Sequence, residues 1–183
     1  MKRTASAKLL SETHWLEATQ ADPKNLSAWL GLGTTRLAMG NYAEAASAFQ
    51  HAARLDGQEP LTHHLLGLAF EGNHDWVKAL AAWKKATQAQ PTSSPAWEHL
   101  AQCADALHRD DTALAARQQL AKLHGNDAEM LAHLGTALSH QGHHREALAL
   151  FKRAEAASPG FLKPHTAEHA AWEHSRRAMR KNA

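Results

Sequence analysis

Residues 60–93 read PLTHHLLGLAFEGNHDWVKALAAWKKATQAQPTS, and the same arrangement recurs at intervals of 34 residues on either side. Leu66 shares a column with Leu32, Leu100 and Leu134; Gly67 with Gly33, Ala101 and Gly135; Ala79 with Ala45, Ala113 and Ala147. Trp83 continues a bulky column of Trp15, Phe49 and Phe151, broken at Arg117, and Ala86 continues Ala18, Ala52 and Ala154, broken at Leu120. Pro23, Gly57, Pro91, Gly125 and Pro159 close the periods. A fixed period of this length signals stacked repeats, each a supersecondary unit that cannot bury its apolar face alone.

Within residues 26–59, Trp29, Leu32, Gly33 and Leu37 recur at helical spacing, as do Ala45, Ala48, Phe49 and Ala52. Each period therefore predicts two helices joined by a short polar turn: Gly40-Asn41, Asn73-His74-Asp75, Arg109-Asp110 and Gln141-Gly142-His143. Asn41 and Asp75 are expected N-caps of second helices, and Pro60 and Pro95 suit a first helical turn. Small residues in the Gly33 and Ala45 columns allow close helix approach.

These residues resemble the tetratricopeptide repeat family. Its pattern places a large residue, Leu-Gly and an aromatic on the first helix, then Ala, an aromatic and Ala on the second, with a closing Pro. Residues 26–59, 60–93 and 128–161 follow it, the second with His63, Leu66-Gly67, Phe70, Ala79, Trp83, Ala86 and Pro91. Residues 94–127 keep Trp97, Leu100 and Ala113 but carry Ala101, Arg117 and Leu120 at departing positions. The resemblance implies an all-α fold, a right-handed α-solenoid of stacked antiparallel helix pairs forming one domain over residues 1–183. Residues 5–23 then form an N-terminal half-repeat and residues 162–183 a C-terminal capping helix, starting near Pro164 with Trp172 in register with Phe70 and Leu138. The terminal Arg176, Arg177, Arg180 and Lys181 read as a solubilising cap, favourable to the helix dipole.

Net charge is +2 with signs interspersed, which argues against a nucleic-acid binder. No apolar run approaches a membrane span, and the N-terminus has no signal-peptide pattern, so a cytoplasmic protein without membrane insertion is expected. A single cysteine, Cys103, excludes an internal disulfide framework and reads as a buried packing residue. All six tryptophans fall on repeat columns, a pattern of core packing and not of an aromatic cage. Among the fifteen histidines, His165 and His169 share one face of the cap helix. A zinc site needs three or four ligands, so the pair is a weak metal candidate and no cofactor is expected. Protonation of His64, His99, His133 and His140 on acidification is expected to add positive charge to the groove.

No phosphate loop, His-Glu-x-x-His, Cys-x-x-Cys or nucleophile elbow is present, so the sequence predicts no enzyme. The resemblance implies that first helices line a concave groove that binds a peptide or partner protein. The stripe opposite the core maps to Leu30, Thr34 and Leu37, then His64, Leu68 and Glu71. It continues through Glu98, His99, Gln102 and Asp105 to His133, Thr136 and His140. Where co-chaperones of the family hold an acidic chaperone tail with Lys and Asn, this chain has Leu30, Thr34, Leu65, Pro95 and His99, and lacks that clamp. Two readings stand: a cytoplasmic adaptor binding a partner in the groove, and a scaffold whose repeats self-associate into homo-oligomers.

Overall fold

The computed structural model describes residues 2–57, 59–164 and 166–181, with side chains from Ser11 onward. The chain divides into two compact units, Met1–Leu107 and His108–Ala183. The division falls inside the period 94–127, where the repeat columns are interrupted.

The first unit holds α1 (Lys2–Ala21), α2 (Leu26–Met39), α3 (Tyr42–Leu55), α4 (Pro60–Gly72), α5 (Trp76–Ala89) and α6 (Ser94–Ala106). Each helix packs on the next, and α4 also touches both α2 and α6. The first helices of the repeats therefore lie side by side, whereas α3 and α5 lie outside them. Phe49 and Trp83 are fully buried, each ring lying over the glycine of its own repeat. A Cβ at Gly33 or Gly67 would collide with the Phe49 or Trp83 ring, so glycine is required by the aromatic sixteen residues later. Burying each ring contributes about 2–3 kcal/mol. Trp15 from α1 covers Gly31 in the same way. The one period without glycine at this column, at Ala101, is also the one without an aromatic at its partner position, Arg117.

Helix ends repeat as faithfully as the core. Asn25, Glu59 and Ser93 cap α2, α4 and α6, each side chain accepting a backbone N–H of the first turn. A second lock follows six residues behind the large first-helix residue. Trp29 Nε1 donates to Pro23 O at 2.9 Å, and Trp97 Nε1 to Pro91 O at 2.8 Å. His63 Nε2 reaches Gly57 O at 2.9 Å, so its Nε2 carries the proton. Of the two expected second-helix caps, Asp75 bonds Lys78 N, but Asn41 makes no side-chain cap bond.

The turns within the helix pairs also share a geometry. Gly40, His74, His108 and Gly142, spaced 34 apart, all have positive φ, at 82°, 57°, 52° and 83°. Asn41 N donates to Arg36 O, Asp75 N to Phe70 O and His143 N to Leu138 O, closing Schellman turns.

The second unit holds α7 (Asp110–His124), α8 (Ala128–His140), α9 (His144–Ala157) and α10 (Ala167–Lys181). Here α8 packs on α7, α9 and α10, and α10 also on α9. Its core joins Leu131, Leu134, Leu138, Phe151 and Ala171. The cap helix starts at Ala167, three residues beyond Pro164, because the Thr166 hydroxyl accepts from His169 N. Ahead of it, the Glu155 carboxylate accepts from Gly160 N at 2.6 Å and Leu162 N at 3.2 Å. These two bonds hold the Glu155 carboxyl below its usual range. A buried polar chain pins the cap: Ser139 Oγ donates to Ala171 O, Ser175 Oγ to Ser139 Oγ, and His144 Nδ1 lies 3.3 Å from Ser175 Oγ.

Of the tryptophans, only Trp83 is wholly buried; Trp15, Trp29, Trp76, Trp97 and Trp172 are half-buried. Histidines cover several of them. His51 stacks on Trp29 at 4.2 Å, and His14, His74 and His169 lie beside Trp15, Trp76 and Trp172. Much of the histidine content is therefore packing against indole rings.

Candidate functional site

The ten stripe residues of the first unit lie on α2, α4 and α6, and α4 touches both of the other two helices. Leu30, Leu37 and Leu68 are half-buried, while Thr34 is exposed and spends its hydroxyl on Leu30 O. Glu98, Gln102 and Asp105 are exposed on α6. His64, Glu71 and His99 come together at the centre, around Trp83.

Glu71 organises this cluster. Its Oε1 accepts Trp83 Nε1 at 2.7 Å and Cys103 Sγ at 3.1 Å. Its Oε2 lies 3.0 Å from His99 Nδ1. The His99 ring lies on the Trp83 indole at 4.5 Å with planes 5° apart, and His64 meets the same indole edge-on at 4.7 Å. One carboxylate thus ties a side chain of its own repeat to two of the next.

The electrostatics follow from these contacts. Burial alone would raise the Glu71 carboxyl, but hydrogen bonds from His99, Cys103 and Trp83, with the His99 charge, hold it below its usual 4.5. The Glu71 hydrogen bond raises His99 above 6.5 despite burial, helped by the charges of Glu71 and Glu98. Burial and the neighbouring His99 charge lower His64, against a smaller pull from Glu71. Acidification therefore does not charge the two histidines alike: His99 takes up a proton more readily than an ordinary imidazole and His64 less readily. Burial, then the Glu71 hydrogen bond and charge, push the Cys103 thiol far above its ordinary range. A thiol so placed supplies no thiolate nucleophile at neutral pH.

Beside His64 a cleft of about 390 Å³ opens between Glu59, Pro60, Leu61, Ala86 and Ala96. Leu61, 53% exposed, is absent from the stripe expected from sequence. Its spacing of three from His64 and seven from Leu68 was the signal that placed it on this face.

In the second unit, His133 and His140 are exposed on α8. Thr136 is half-buried and donates to Ala132 O at 2.9 Å. His133 Nε2 lies 3.9 Å from Glu168 Oε1, beside a cleft of about 460 Å³ that Glu129, Phe161 and Lys163 also line. Of the weak metal candidates, His165 lies outside the described residues, and His169 lies against the Trp172 ring at 5.4 Å. Among the described residues no group of three His, Cys, Asp or Glu side chains could hold a metal ion, and no helix is long and apolar enough to cross a membrane.

The family model for the tetratricopeptide repeat matches residues 10–60 and 106–160. The chain belongs to the tetratricopeptide repeat family. Anaphase-promoting complex subunit 3 of Schizosaccharomyces pombe is 29% identical over 125 residues, 68% of this chain and 19% of that protein. The chain thus spans about a fifth of that relative's length. Among solved structures, the MamA protein gives a TM-score of 0.72 at 22% identity, covering 90% of each chain. YrrB, described as a TPR protein with an unusual peptide-binding site, gives 0.69 at 17% identity, covering 91% of this chain and 89% of its own. Their likeness shows the fold: helix pairs stacked as an α-solenoid.

Proposed function

We propose that this tetratricopeptide repeat protein is a non-enzymatic interaction module that holds a peptide or partner protein on the face of its first helices. The observation that carries the reading is the cluster of His64, Glu71 and His99 around Trp83. There a half-exposed imidazole is locked by stacking and by a hydrogen bond, between a cleft on one side and exposed polar side chains on the other. A fixed polar group on a rigid helical face costs little entropy to engage. The half-buried leucines alongside it offer apolar area of the kind extended or helical peptides use. The peptide-binding site named for YrrB is consistent with this use of the fold.

The test is affinity capture with the wild-type chain and a Glu98→Lys/Asp105→Lys variant, both side chains being exposed, with circular dichroism confirming that the variant is folded. Loss of captured partner by the variant supports the reading; unchanged recovery contradicts it. The scaffold reading is separated by light scattering, in which a mass independent of concentration disfavours self-association.

A further inference from the structure

The lock at the start of the first helices is missing from one repeat. Trp29 and Trp97 each donate an indole N–H to the carbonyl oxygen of the proline six residues earlier, and His63 reaches Gly57 O in the same way. In the last repeat this column holds Leu131, six residues after Gly125. Leucine has neither a ring nor an N–H to offer there. The turn is otherwise alike: Asp127 N donates to His124 O as Asn25 N does to Asp22 O and Ser93 N to Gln90 O.

At that position a cleft of about 470 Å³ opens among α7, α8 and α9, within the second unit. Leu131, Leu134 and Leu150 give it an apolar lining, and Gly125 lines it as well. So does Arg153, which stands in the repeat column of His51. His51 stacks on the Trp29 indole at 4.2 Å with planes 10° apart. A guanidinium is planar too, and stacks on aromatic faces as a cation. Arg153 Nη2 donates to Asn126 Oδ1 at 2.9 Å, which holds the guanidinium beside the cleft. Lys122 is a second cation in the lining, and none of the described lining residues is a carboxylate.

We propose that this cleft takes the indole of a tryptophan from an acidic segment of a partner protein. The partner's ring takes the place that the chain's own indole fills in the repeats of Trp29 and Trp97. It lies among the three leucines with one face on the Arg153 guanidinium. Carboxylates next to that tryptophan meet Lys122 and Arg153, and a basic segment is disfavoured by the same two cations. Tryptophan and arginine are the side chains that most often dominate an interface. None of the residues involved belongs to the cluster of His64, Glu71 and His99, so this site stands or falls independently of the first-helix face.

The experiment uses three short labelled peptides: a tryptophan among glutamates, the same with alanine for tryptophan, and the same with lysines for the glutamates. Fluorescence anisotropy measures their binding to the full chain, to Arg153→Ala and to Leu131→Trp, with circular dichroism confirming that each variant is folded. Leu131→Trp restores the repeat's own indole and so fills the cleft from within. The acidic tryptophan peptide is expected to bind the wild-type chain at least about tenfold more tightly than either control peptide. Arg153→Ala is expected to weaken it by about fivefold, and Leu131→Trp to abolish its binding. Arg153 is exposed, so its variant keeps the test decisive if Leu131→Trp fails to fold. Equal binding of the tryptophan and alanine peptides, no binding of either, or binding unchanged in every folded variant overturns the proposal. Equal binding of the lysine peptide overturns the acidic character of the partner.

Discussion

The imidazole of His99 lies flat on the indole of Trp83, with ring centroids 4.5 Å apart and planes 5° from parallel. The stack joins consecutive repeats through side chains on α5 and α6, and Glu71 of α4 bonds both rings. Removing the carboxylate leaves the buried Trp83 N–H without an acceptor of equal strength. Glu71→Gln is expected to destabilise the first unit by about 1–3 kcal/mol in urea unfolding. An unchanged midpoint would show that the cluster does not hold the repeats together.

The same contacts set a pH window. His99 is raised above 6.5, so its contribution to stability is full below 6.5 and fades as pH climbs through the raised value. Glu71 is lowered beneath 4.5, so its contribution is full above 4.5 and fades as pH falls through the lowered value. His64 is lowered and opposes acidification, removing stability as pH falls below 6.5. Unfolding free energy followed across this range is expected to lose its alkaline-side decline in His99→Gln, and to decline less on the acid side in His64→Gln. A wild-type slope in both variants would contradict these assignments.

The glycines under the rings give a packing prediction. Gly33→Ala and Gly67→Ala each place a methyl group into a buried aromatic ring. Such overpacking is expected to cost about 1–3 kcal/mol. Thermal unfolding no lower than wild type in both would mean that the helix pairs separate freely enough to admit a side chain.

Where the repeat turn demands a left-handed residue, two of the four positions hold histidine, at φ 57° for His74 and 52° for His108. Gly40 and Gly142 show the unstrained solution at the same column. His74→Gly and His108→Gly are expected to stabilise by up to about 1 kcal/mol, the left-handed penalty less the added freedom of the unfolded chain. Denaturation midpoints measure this, and a clear loss of stability in both variants would refute it.

The cap makes a fifth test. Ser175 is fully buried, and its hydroxyl links Ser139 to His144. Ser175→Ala is expected to cost about 1–2 kcal/mol, because Ser139 loses its donor and His144 its hydroxyl partner. The loss should appear as faster amide exchange in α10. Unaltered exchange there would mean that apolar packing alone secures the cap.

The helix pairs were legible in the sequence because each ring needs a glycine sixteen residues earlier, and that requirement repeats as columns. Gly67 with Trp83 can be read as a pair without coordinates. The cap column of Asn25, Glu59, Ser93 and Asp127 repeats just as regularly, but its members differ in chemistry, so it does not stand out as one residue type would. The left-handed column was hidden for the same reason, with His74 and His108 in place of glycine. The Glu71 cluster was not legible at all. It depends on Trp83, His99 and Cys103, which lie 12, 28 and 32 residues away on other helices. Sequence placed Glu71 and His99 on the expected stripe, but only the packing shows that they bond one another.

Under the proposed function, partners dock on the first-helix face. Site-specific photo-crosslinking reads this out, with a photoreactive residue replacing Gln102 on the exposed face of α6 or Val77 on the outer helix α5. Val77 is 59% exposed, so both positions accept a bulky group. Crosslinks to a partner from position 102 and none from position 77 are predicted. Crosslinks from position 77 alone would contradict the claim and move the binding surface to the outer helices.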